Sequence, residues 1–264
     1  MKLATDKMLA RKEGGIGWMT FNNPARRNAL SYEMRLAILE ILEEFEKDDA
    51  IRVIVMLGAG DKSFVAGADI SQFDSMRATP EQQAEYERVS QAVQTRYATL
   101  SKPLIAMIRG FCLGGGLQTA LAADLRIASD DSMFGIPAGR LGIAYAWPSV
   151  SKLVEIVGPS KAKDILYTAR RIPAEEAYAM GLINRVVPAA DLEDKVRELA
   201  ATIAGNAPLS IIAAKRAIDE LVKDPANRDE AGAKAAAKRA MESEDFIEGR
   251  RAFMEKRTPV WKGR

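Results

Sequence analysis

The sequence predicts an α/β protein, and three observations lead to that prediction. Short runs of β-branched and other apolar residues are bounded by glycine or proline, which is typical of buried strands. Segments with apolar residues at helical spacing alternate with these runs. The chain has 264 residues, of which 48% are hydrophobic and 28% charged, so it can bury a substantial core in one or two domains. Alternating strands and helices in such a chain favour the α/β class.

The first half of the chain alternates between strands and helices. Residues 8–22 predict two strands around the turn Gly14-Gly15, and Ser31 is predicted to cap a helix that runs to about Lys47. The other elements predicted here are a buried strand at 51–57, a helix from Thr79-Pro80 to about Thr99, a buried strand at 103–108, a helix at about 117–123, and strands at 125–128 and 133–136.

The second half is predicted to be more helical. Proline and glycine punctuate three short helices, at 148–158, 160–169 and 173–181. A strand within 182–188 and an amphipathic helix at 191–204 follow. The sequence GNAP at 205–208 breaks the helix, and everything after it is predicted to be helical. We therefore predict a division of the chain into residues 1–205 and 206–264.

Charge and composition exclude several classes of function. Lys plus Arg is 38 and Asp plus Glu is 36, so the net charge of +2 argues against a strongly basic nucleic-acid binder. The basic residues of a helix predicted at 227–241 are interpreted as a solvated face. The chain has no histidine, which excludes Ser-His-Asp and Cys-His nucleophile systems and nearly all zinc sites.

The cysteine content and the hydropathy of the chain indicate its cellular compartment. The single cysteine, Cys112, cannot form an internal disulfide and is predicted to pack in the interior. Residues 1–15 lack the apolar stretch of a secretory signal, and no apolar run approaches the 18 residues that a membrane span needs. We expect a cytoplasmic protein without membrane or nucleic-acid partners and without a bound metal.

Two glycine-containing turns are the candidate functional motifs. They are SFVAGADI at 63–70 and GFCLGGGLQ at 110–118. Glycine lets backbone approach a ligand closely, so two such turns could supply two N–H donors to one carbonyl oxygen, as in an oxyanion hole. The alternative is that both are only tight turns. Neither fits the order of a P-loop or of a GxGxxG dinucleotide motif.

Four motifs in order give the chain a family resemblance. They are NPARRNALS at 23–31, FVAGADI at 64–70, GFCLGGGLQTALAADLRIAS at 110–129 and AFMEKRTPVW at 252–261. Together they resemble the enoyl-CoA hydratase/isomerase family, or crotonase superfamily, over nearly the whole chain. The resemblance implies an N-terminal spiral of ββα units and a C-terminal helical region that builds homotrimers, often paired into homohexamers. It also implies an acyl-CoA thioester as ligand, with no cofactor beyond the coenzyme A of the substrate.

The resemblance further assigns residues to this ligand. In the family two backbone N–H groups hold the thioester oxygen, and the matching positions are Ala68 and Gly115. Arg27 matches a position near the CoA, and Phe253 and Lys256 match the C-terminal helix that reaches its nucleotide end. The remaining CoA-contacting positions implied by the motifs are Ala29, Ala66, Asp69 and Ile70. Of these, Asp69 is interpreted mainly as orienting its loop.

The sequence departs from the family pattern at the two positions that move protons. Family hydratases carry two glutamates there, and this chain has Gln118 and Ala138. Neither side chain exchanges a proton near neutral pH, so hydration and isomerisation by glutamates should be lost. Tyr145 is the leading replacement, because its hydroxyl could donate a hydrogen bond to a substrate carboxylate or carbonyl. The alternative is a tyrosine that only packs beside Trp147.

Three functions remain as hypotheses. The favoured one is an enzyme that stabilises a thioester enolate without the two glutamates, in a decarboxylation or a substrate-assisted elimination. The second is an ordinary enoyl-CoA hydratase or isomerase. The third is a catalytically silent acyl-CoA-binding protein or oligomeric scaffold.

Overall fold

The computed structural model describes residues 3–72 and 78–264 of the chain. Its strands are β1 (Met8–Glu13), β2 (Ile16–Phe21), β3 (Val53–Gly58), β4 (Ser63–Val65), β5 (Leu104–Ile108), β6 (Phe111–Leu113), β7 (Leu125–Ser129), β8 (Met133–Gly135), β9 (Ile172–Pro173) and β10 (Arg185–Val187). Its helices are α1 (Tyr32–Lys47), α2 (Pro80–Ala98), α3 (Gly115–Leu121), α4 (Trp147–Thr168), α5 (Ala174–Ala179), α6 (Leu192–Ala204), α7 (Pro208–Leu221), α8 (Glu230–Met241) and α9 (Glu244–Glu255). Short 3₁₀ turns lie at Pro24–Arg26, Ile70–Gln72, Pro137–Arg140 and Pro225–Asn227.

The larger sheet has six strands in the order β1-β2-β3-β5-β7-β10. The β1–β2 hairpin is antiparallel, and every later pair is parallel. Alternate residues of β3 face opposite sides: Ile54 packs in the main core beneath α1, and Val53 packs in a second core beneath α6. Burial on both faces explains why these strands are continuous apolar runs.

The smaller sheet has four strands in the order β4-β6-β8-β9. Strands β4, β6 and β8 run parallel, and β9 closes the sheet antiparallel to β8. Parallel neighbours place the segments that follow them at one edge of the sheet. This edge carries both glycine-containing turns.

The α/β prediction is confirmed, as are the predicted caps of the two long helices near the N-terminus. The Ser31 hydroxyl accepts from the Met34 N–H at the start of α1. Thr79 and Gln82 form a reciprocal capping box at the start of α2, with Pro80 in its first turn. The predicted break between the helices at 148–158 and 160–169 is present one residue earlier than Pro159, as the non-helical Gly158 within α4. The break predicted at 205–208 is present at 205–207, since α6 ends at Ala204 and α7 begins at Pro208.

Several predicted boundaries were wrong. Helix α3 begins at Gly115 rather than 117, so the glycine turn itself forms its first residues. Strand β6 lies inside the stretch interpreted as an irregular turn. The chain beyond residue 208 is not helical throughout, since non-helical segments follow α7 and α9. The helix predicted at 227–241 begins at Glu230, where Asp229 caps it. The division between residues 205 and 206 stays a prediction.

None of the helices in the described ranges is both long and apolar enough to cross a membrane.

Candidate active site

The candidate site lies where the parallel strands β4, β6 and β8 end. The segments that follow them carry Ala66 to Ala68, Gly114 with Gly115, and Pro137 with Ala138. These residues line one cavity of about 810 Å³, which α2 and the segment before α4 complete. The order of three short strands thus brings together motifs that are up to 72 residues apart in the sequence.

The first turn is fixed by backbone pairing with the segment before α1. Leu30 forms a parallel bridge with Ala68: its N–H donates to the Gly67 carbonyl at 2.8 Å, and its carbonyl accepts from Asp69 N–H at 2.9 Å. Because successive N–H groups of an extended segment point to opposite sides, the Ala68 N–H points away from Leu30. The Ala66 N–H is anchored in turn to the Arg27 carbonyl, at 3.1 Å.

The second turn brings a helix start against the first turn. Gly114 has φ 54° and ψ −121°, a conformation suited to glycine, and its N–H donates to the Gly135 carbonyl at 2.8 Å. A Cβ at Gly116 would lie only 1.9 Å from the Val65 carbonyl oxygen, so this close approach requires glycine. A Cβ at Gly115 would lie 3.5 Å from the Ala68 nitrogen, which places the two turns in contact.

The amides of Ala68 and Gly115 are free donors. Gly115 is the first residue of α3, where an N–H has no acceptor within the helix. Within the described ranges, neither this N–H nor that of Ala68 donates to any protein acceptor. Both residues line the cavity. The arrangement can therefore offer two adjacent N–H donors to one ligand oxygen.

Tyr145 lies beside this pair of amides. Its hydroxyl is 3.7 Å from the position that a Cβ on Gly114 would take. Burial raises the pKa of Tyr145 above its ordinary value of 10.0, so the phenol stays neutral at physiological pH. Its hydroxyl has no protein hydrogen-bond partner in the described part of the chain, and Trp147 is 84% exposed. Tyr145 therefore presents a neutral donor to the cavity and is not sequestered with Trp147.

The two positions that match family glutamates also line the cavity. The side-chain amide of Gln118 donates to Ser149 Oγ at the start of α4. Ala138 lies in the 3₁₀ turn after β8 and is buried. The cavity wall at these two places consequently holds an amide and a methyl group, with no carboxyl group.

Several residues expected to contact CoA lie outside the cavity of this chain. Arg27 is exposed, and its guanidinium lies 5.2 Å from the ring centroid of Phe111. Phe253 and Lys256 are exposed at the end of α9. Ala29, Asp69 and the backbone of Ile70 belong to the adjoining segments, and the side chain of Ile70 is outside the described part.

Asp69 and Cys112 have structural surroundings. The Asp69 carboxylate accepts from the Ser71 N–H at 3.1 Å and from its hydroxyl at 2.6 Å, within its own loop. Cys112 is buried, and burial raises the pKa of its thiol, which suppresses thiolate formation. The prediction that Cys112 packs in the interior is confirmed.

Sequence analysis missed three charged residues of the cavity wall, Arg35, Glu87 and Arg88, of which Arg88 forms an ion pair with Glu85. Glu87, on α2, is the one carboxylate among the lining residues that the structure describes, and it accepts from the Gln83 side chain. Arg35, on α1, is 9% exposed. The signal for Arg35 was its position, because it shares the helical spacing of the core residues Ile38 and Leu42.

Comparison with known proteins identifies the family of the chain. The family model for enoyl-CoA hydratase/isomerase matches residues 11–264, so the chain belongs to that family. A short-chain-enoyl-CoA hydratase from Clostridium acetobutylicum is 34% identical over 252 residues, which cover 96% of each chain. A carnitinyl-CoA dehydratase from Escherichia coli is 37% identical over 257 residues, covering 96% of this chain and 97% of the relative.

A solved structure shows the same fold. An enoyl-CoA hydratase/carnithine racemase from Magnetospirillum magneticum superposes with a TM-score of 0.93 and 35% identity. The match covers 99% of this chain and 97% of the other. The crotonase fold inferred from the four motifs is therefore confirmed.

Proposed function

We propose that the protein is an acyl-CoA enzyme that holds the thioester oxygen between the N–H groups of Ala68 and Gly115. The observation that carries the proposal is that these two donors adjoin each other in one cavity and have no acceptor among the described residues. A thioester that loses a proton or a carboxylate at Cα places negative charge on its oxygen. Preformed donors stabilise such an oxyanion by about 3 kcal/mol each.

The proposed CoA end lies beside the first turn. Arg27 and Arg171 place their guanidinium groups 5.2 Å and 5.1 Å from the centroid of the Phe111 ring. In the described ranges neither arginine forms an ion pair, so both can meet phosphate charge. Arg27 is also joined to the oxyanion loop through its hydrogen bond with Ala66. Phe253 and Lys256 lie outside the cavity of this chain, and we propose that a neighbouring subunit supplies them to the site.

The proposed reaction proceeds without glutamate proton transfer. Gln118 and Ala138 provide no group that takes or gives a proton near neutral pH. In a decarboxylation, the bond from Cα to the carboxylate breaks, CO₂ leaves, and the electron pair passes to the enolate oxygen between the two amides. Water can then supply the proton to Cα. In a substrate-assisted elimination, a basic group of the substrate itself takes the Cα proton as the leaving group departs.

Tyr145 is proposed to orient the acyl group. Its hydroxyl is neutral, lacks a protein partner in the described chain and lies beside Gly114. A neutral phenol donates to a carboxylate or carbonyl. Because the raised pKa keeps Tyr145 protonated near neutral pH, almost no phenolate is present to act as a base. We therefore assign it to positioning and hydrogen bonding within the cavity.

Two other functions are compatible with the family. An ordinary hydratase is favoured by the names of the relatives, which include a hydratase and a dehydratase. A hydratase reaction would require Glu87 or a water molecule to move the protons. Glu87 is exposed on α2, so it is not held in a buried position facing the two amides. A silent acyl-CoA binder is favoured by the lack of carboxyl groups at positions 118 and 138.

Product masses distinguish these functions. The purified protein is incubated separately with crotonyl-CoA and with malonyl-CoA and methylmalonyl-CoA, and the CoA esters are followed by mass spectrometry. The proposal predicts loss of CO₂ from a malonyl-type ester, with crotonyl-CoA hardly hydrated. Rapid hydration of crotonyl-CoA would establish the ordinary hydratase, and binding without turnover would establish the silent binder.

A further inference from the structure

An arginine is buried in the wall of the candidate site. Arg35 lies on α1, one helical turn after the cap residue Ser31, and Leu30 before that cap forms the bridge to Ala68. The side chain is 9% exposed and lines the cavity. It shares this cavity with the two turns that carry Ala68 and Gly115, called the oxyanion turns below. Its guanidinium lies 5.1 Å from the centroid of the Tyr86 ring on α2, and Nη2 donates to the Tyr86 hydroxyl at 3.1 Å.

This buried cation lacks a counter-charge. In residues 3–72 and 78–264 no carboxylate forms an ion pair with Arg35, and its buried Nε has no hydrogen-bond partner. Other buried cations are better satisfied. Lys102 donates to the carbonyls of Phe45 and Asp48, and Arg126 donates to two backbone carbonyls. Lys102 and Arg126 likewise form no ion pair, but each has two carbonyl acceptors, whereas the Arg35 guanidinium has only the Tyr86 hydroxyl among the described residues. A buried charge ordinarily needs such partners, and the cavity that Arg35 lines can supply an anionic one from outside the protein.

We propose that Arg35 binds a carboxylate on the acyl group of the CoA thioester. This inference rests on the proposed function, because it assumes that the thioester binds at the oxyanion turns and that its acyl group extends from there into the cavity. The guanidinium is planar and offers paired N–H donors that match the two oxygens of a carboxylate. The substrate class is thus a CoA ester of a dicarboxylic acid, with the second carboxylate at the far end of the acyl chain.

The bound carboxylate is retained during the reaction. A guanidinium stabilises a carboxylate as the anion, which opposes its departure as neutral CO₂. Arg35 therefore serves recognition of the far carboxylate. A substrate that also undergoes decarboxylation would carry a further carboxylate at Cα, and only that one would leave as CO₂. Glu87, the carboxylate on the described cavity wall, is exposed and bonded to Gln83, so it does not neutralise the buried guanidinium.

The test compares acyl groups that are matched in length. Binding of glutaryl-CoA against valeryl-CoA, and of adipyl-CoA against hexanoyl-CoA, is measured by calorimetry with the unmodified protein, Arg35→Met and Arg35→Lys. We expect at least one dicarboxylic ester to bind about 30-fold or more tightly than its neutral partner. Arg35→Met should abolish that preference while binding of the neutral ester persists, and Arg35→Lys should keep part of it.

Arg96→Met is the matched control. Arg96 also joins α2 to α1, through Nη2 to the Leu42 carbonyl, and its Nε is likewise buried without a partner, but it lies outside the cavity. Its substitution should leave the preference intact. Equal binding of both members of each pair to the unmodified protein would overturn the inference, even if the Arg35 variants failed to fold. Failure of all four esters to bind would instead overturn the proposed function.

Discussion

At the scale of single residues, the chemistry depends on two side chains that lack a carboxyl group. Gln118 and Ala138 line the cavity that holds the free amides of Ala68 and Gly115. Gln118 is held by Ser149, which fixes its position in the wall. The proposed oxyanion site therefore has no carboxyl group at the two positions that match family glutamates.

Restoring both carboxyl groups should create hydratase activity. The double variant Gln118→Glu with Ala138→Glu is expected to hydrate crotonyl-CoA at least about 100-fold faster than the unmodified protein, because each positioned acid or base contributes about 10² to 10⁴ in rate. The rate is followed by loss of the enoyl absorbance. Gln118→Met with Ala138→Leu is the control of similar size and should show no gain. Fast hydration by the unmodified protein would show that another group already moves the protons.

Tyr145 should act as a donor whose proton is retained across the working pH range. Tyr145→Phe is expected to slow the native reaction by about 10-fold or more, since it removes one hydrogen bond to the reacting acyl group. Because burial raises the pKa above 10.0, the hydroxyl keeps its proton in the folded protein until the pH exceeds that value. The rate of the unmodified enzyme should therefore show no loss from Tyr145 ionisation below pH 10.0. A rate unchanged by Tyr145→Phe would assign the residue to packing.

The sequence could identify the two glycine-containing turns, which the structure brings together in one cavity, because their glycines and their order form a recognisable pattern. It places Arg35 at the helical spacing of core residues but does not show the surroundings of its guanidinium. A sequence shows an arginine on a helix, but only the packing of α1 against Tyr86 shows that the guanidinium is buried without a counter-charge. Sequence analysis also placed Arg27, Phe253 and Lys256 at the CoA, and whether they share one site depends on how chains assemble.

At the scale of elements, helix α2 forms one wall of the cavity and depends on its first turn. Local signals mark where this helix begins. The capping box of Thr79 and Gln82, with Pro80 after the cap, supplies them. The sequence revealed these signals because capping is a local property.

Removing the cap should destabilise the protein. Thr79→Ala leaves the Gln82 N–H without its side-chain acceptor and is expected to lower the free energy of unfolding by about 1 kcal/mol. Urea unfolding followed by circular dichroism measures the change. Thr95→Ala, at an exposed site inside the same helix, is the control and should change stability by less than about 0.5 kcal/mol. An equal effect of the two substitutions would show that the capping bond contributes nothing.

Elements set by distant contacts were harder to predict. Strand β6 has only three residues, and it becomes a strand because β4 and β8 flank it. The start of α3 at Gly115 depends on the close approach of Gly116 to Val65, which no local pattern reveals. These are the elements that position the free amides, so the geometry of the site required the structure.

At the scale of the whole molecule, the C-terminal helices leave large apolar side chains exposed. Phe253 is 83% and Met254 80% exposed on α9, and Ile218 and Leu221 are exposed on α7. Apolar surface of this kind favours association. The proposal that residues 206–264 form an assembly region accounts for these side chains.

The protein should be an oligomer in solution. We expect sedimentation velocity to give a homotrimer or a homohexamer, because a closed symmetric assembly would cover the exposed apolar faces of α7 and α9. Ile218→Glu with Leu221→Glu should shift the distribution toward smaller species by placing charge on that surface. The control is Lys234→Glu, which changes the charge at an exposed position of α8 and should leave the distribution of species unchanged. A single chain at all working concentrations would contradict the proposal.

The central claim is that the amides of Ala68 and Gly115 bind the thioester oxygen. The direct measurement is the infrared carbonyl band of an acyl-CoA labelled with ¹³C at the thioester, bound to the protein. Two N–H donors should polarise the carbonyl and shift its band to lower frequency than in free acyl-CoA. In Gly115→Ala the added methyl lies in contact with the Ala68 nitrogen, without a backbone clash, so the shift should be lost while the fold is retained. The control variant is Gly139→Ala, where the added methyl also makes only an ordinary van der Waals contact, and this variant should keep the shift. A band at the frequency of free acyl-CoA in the unmodified, ligand-saturated protein would contradict the claim.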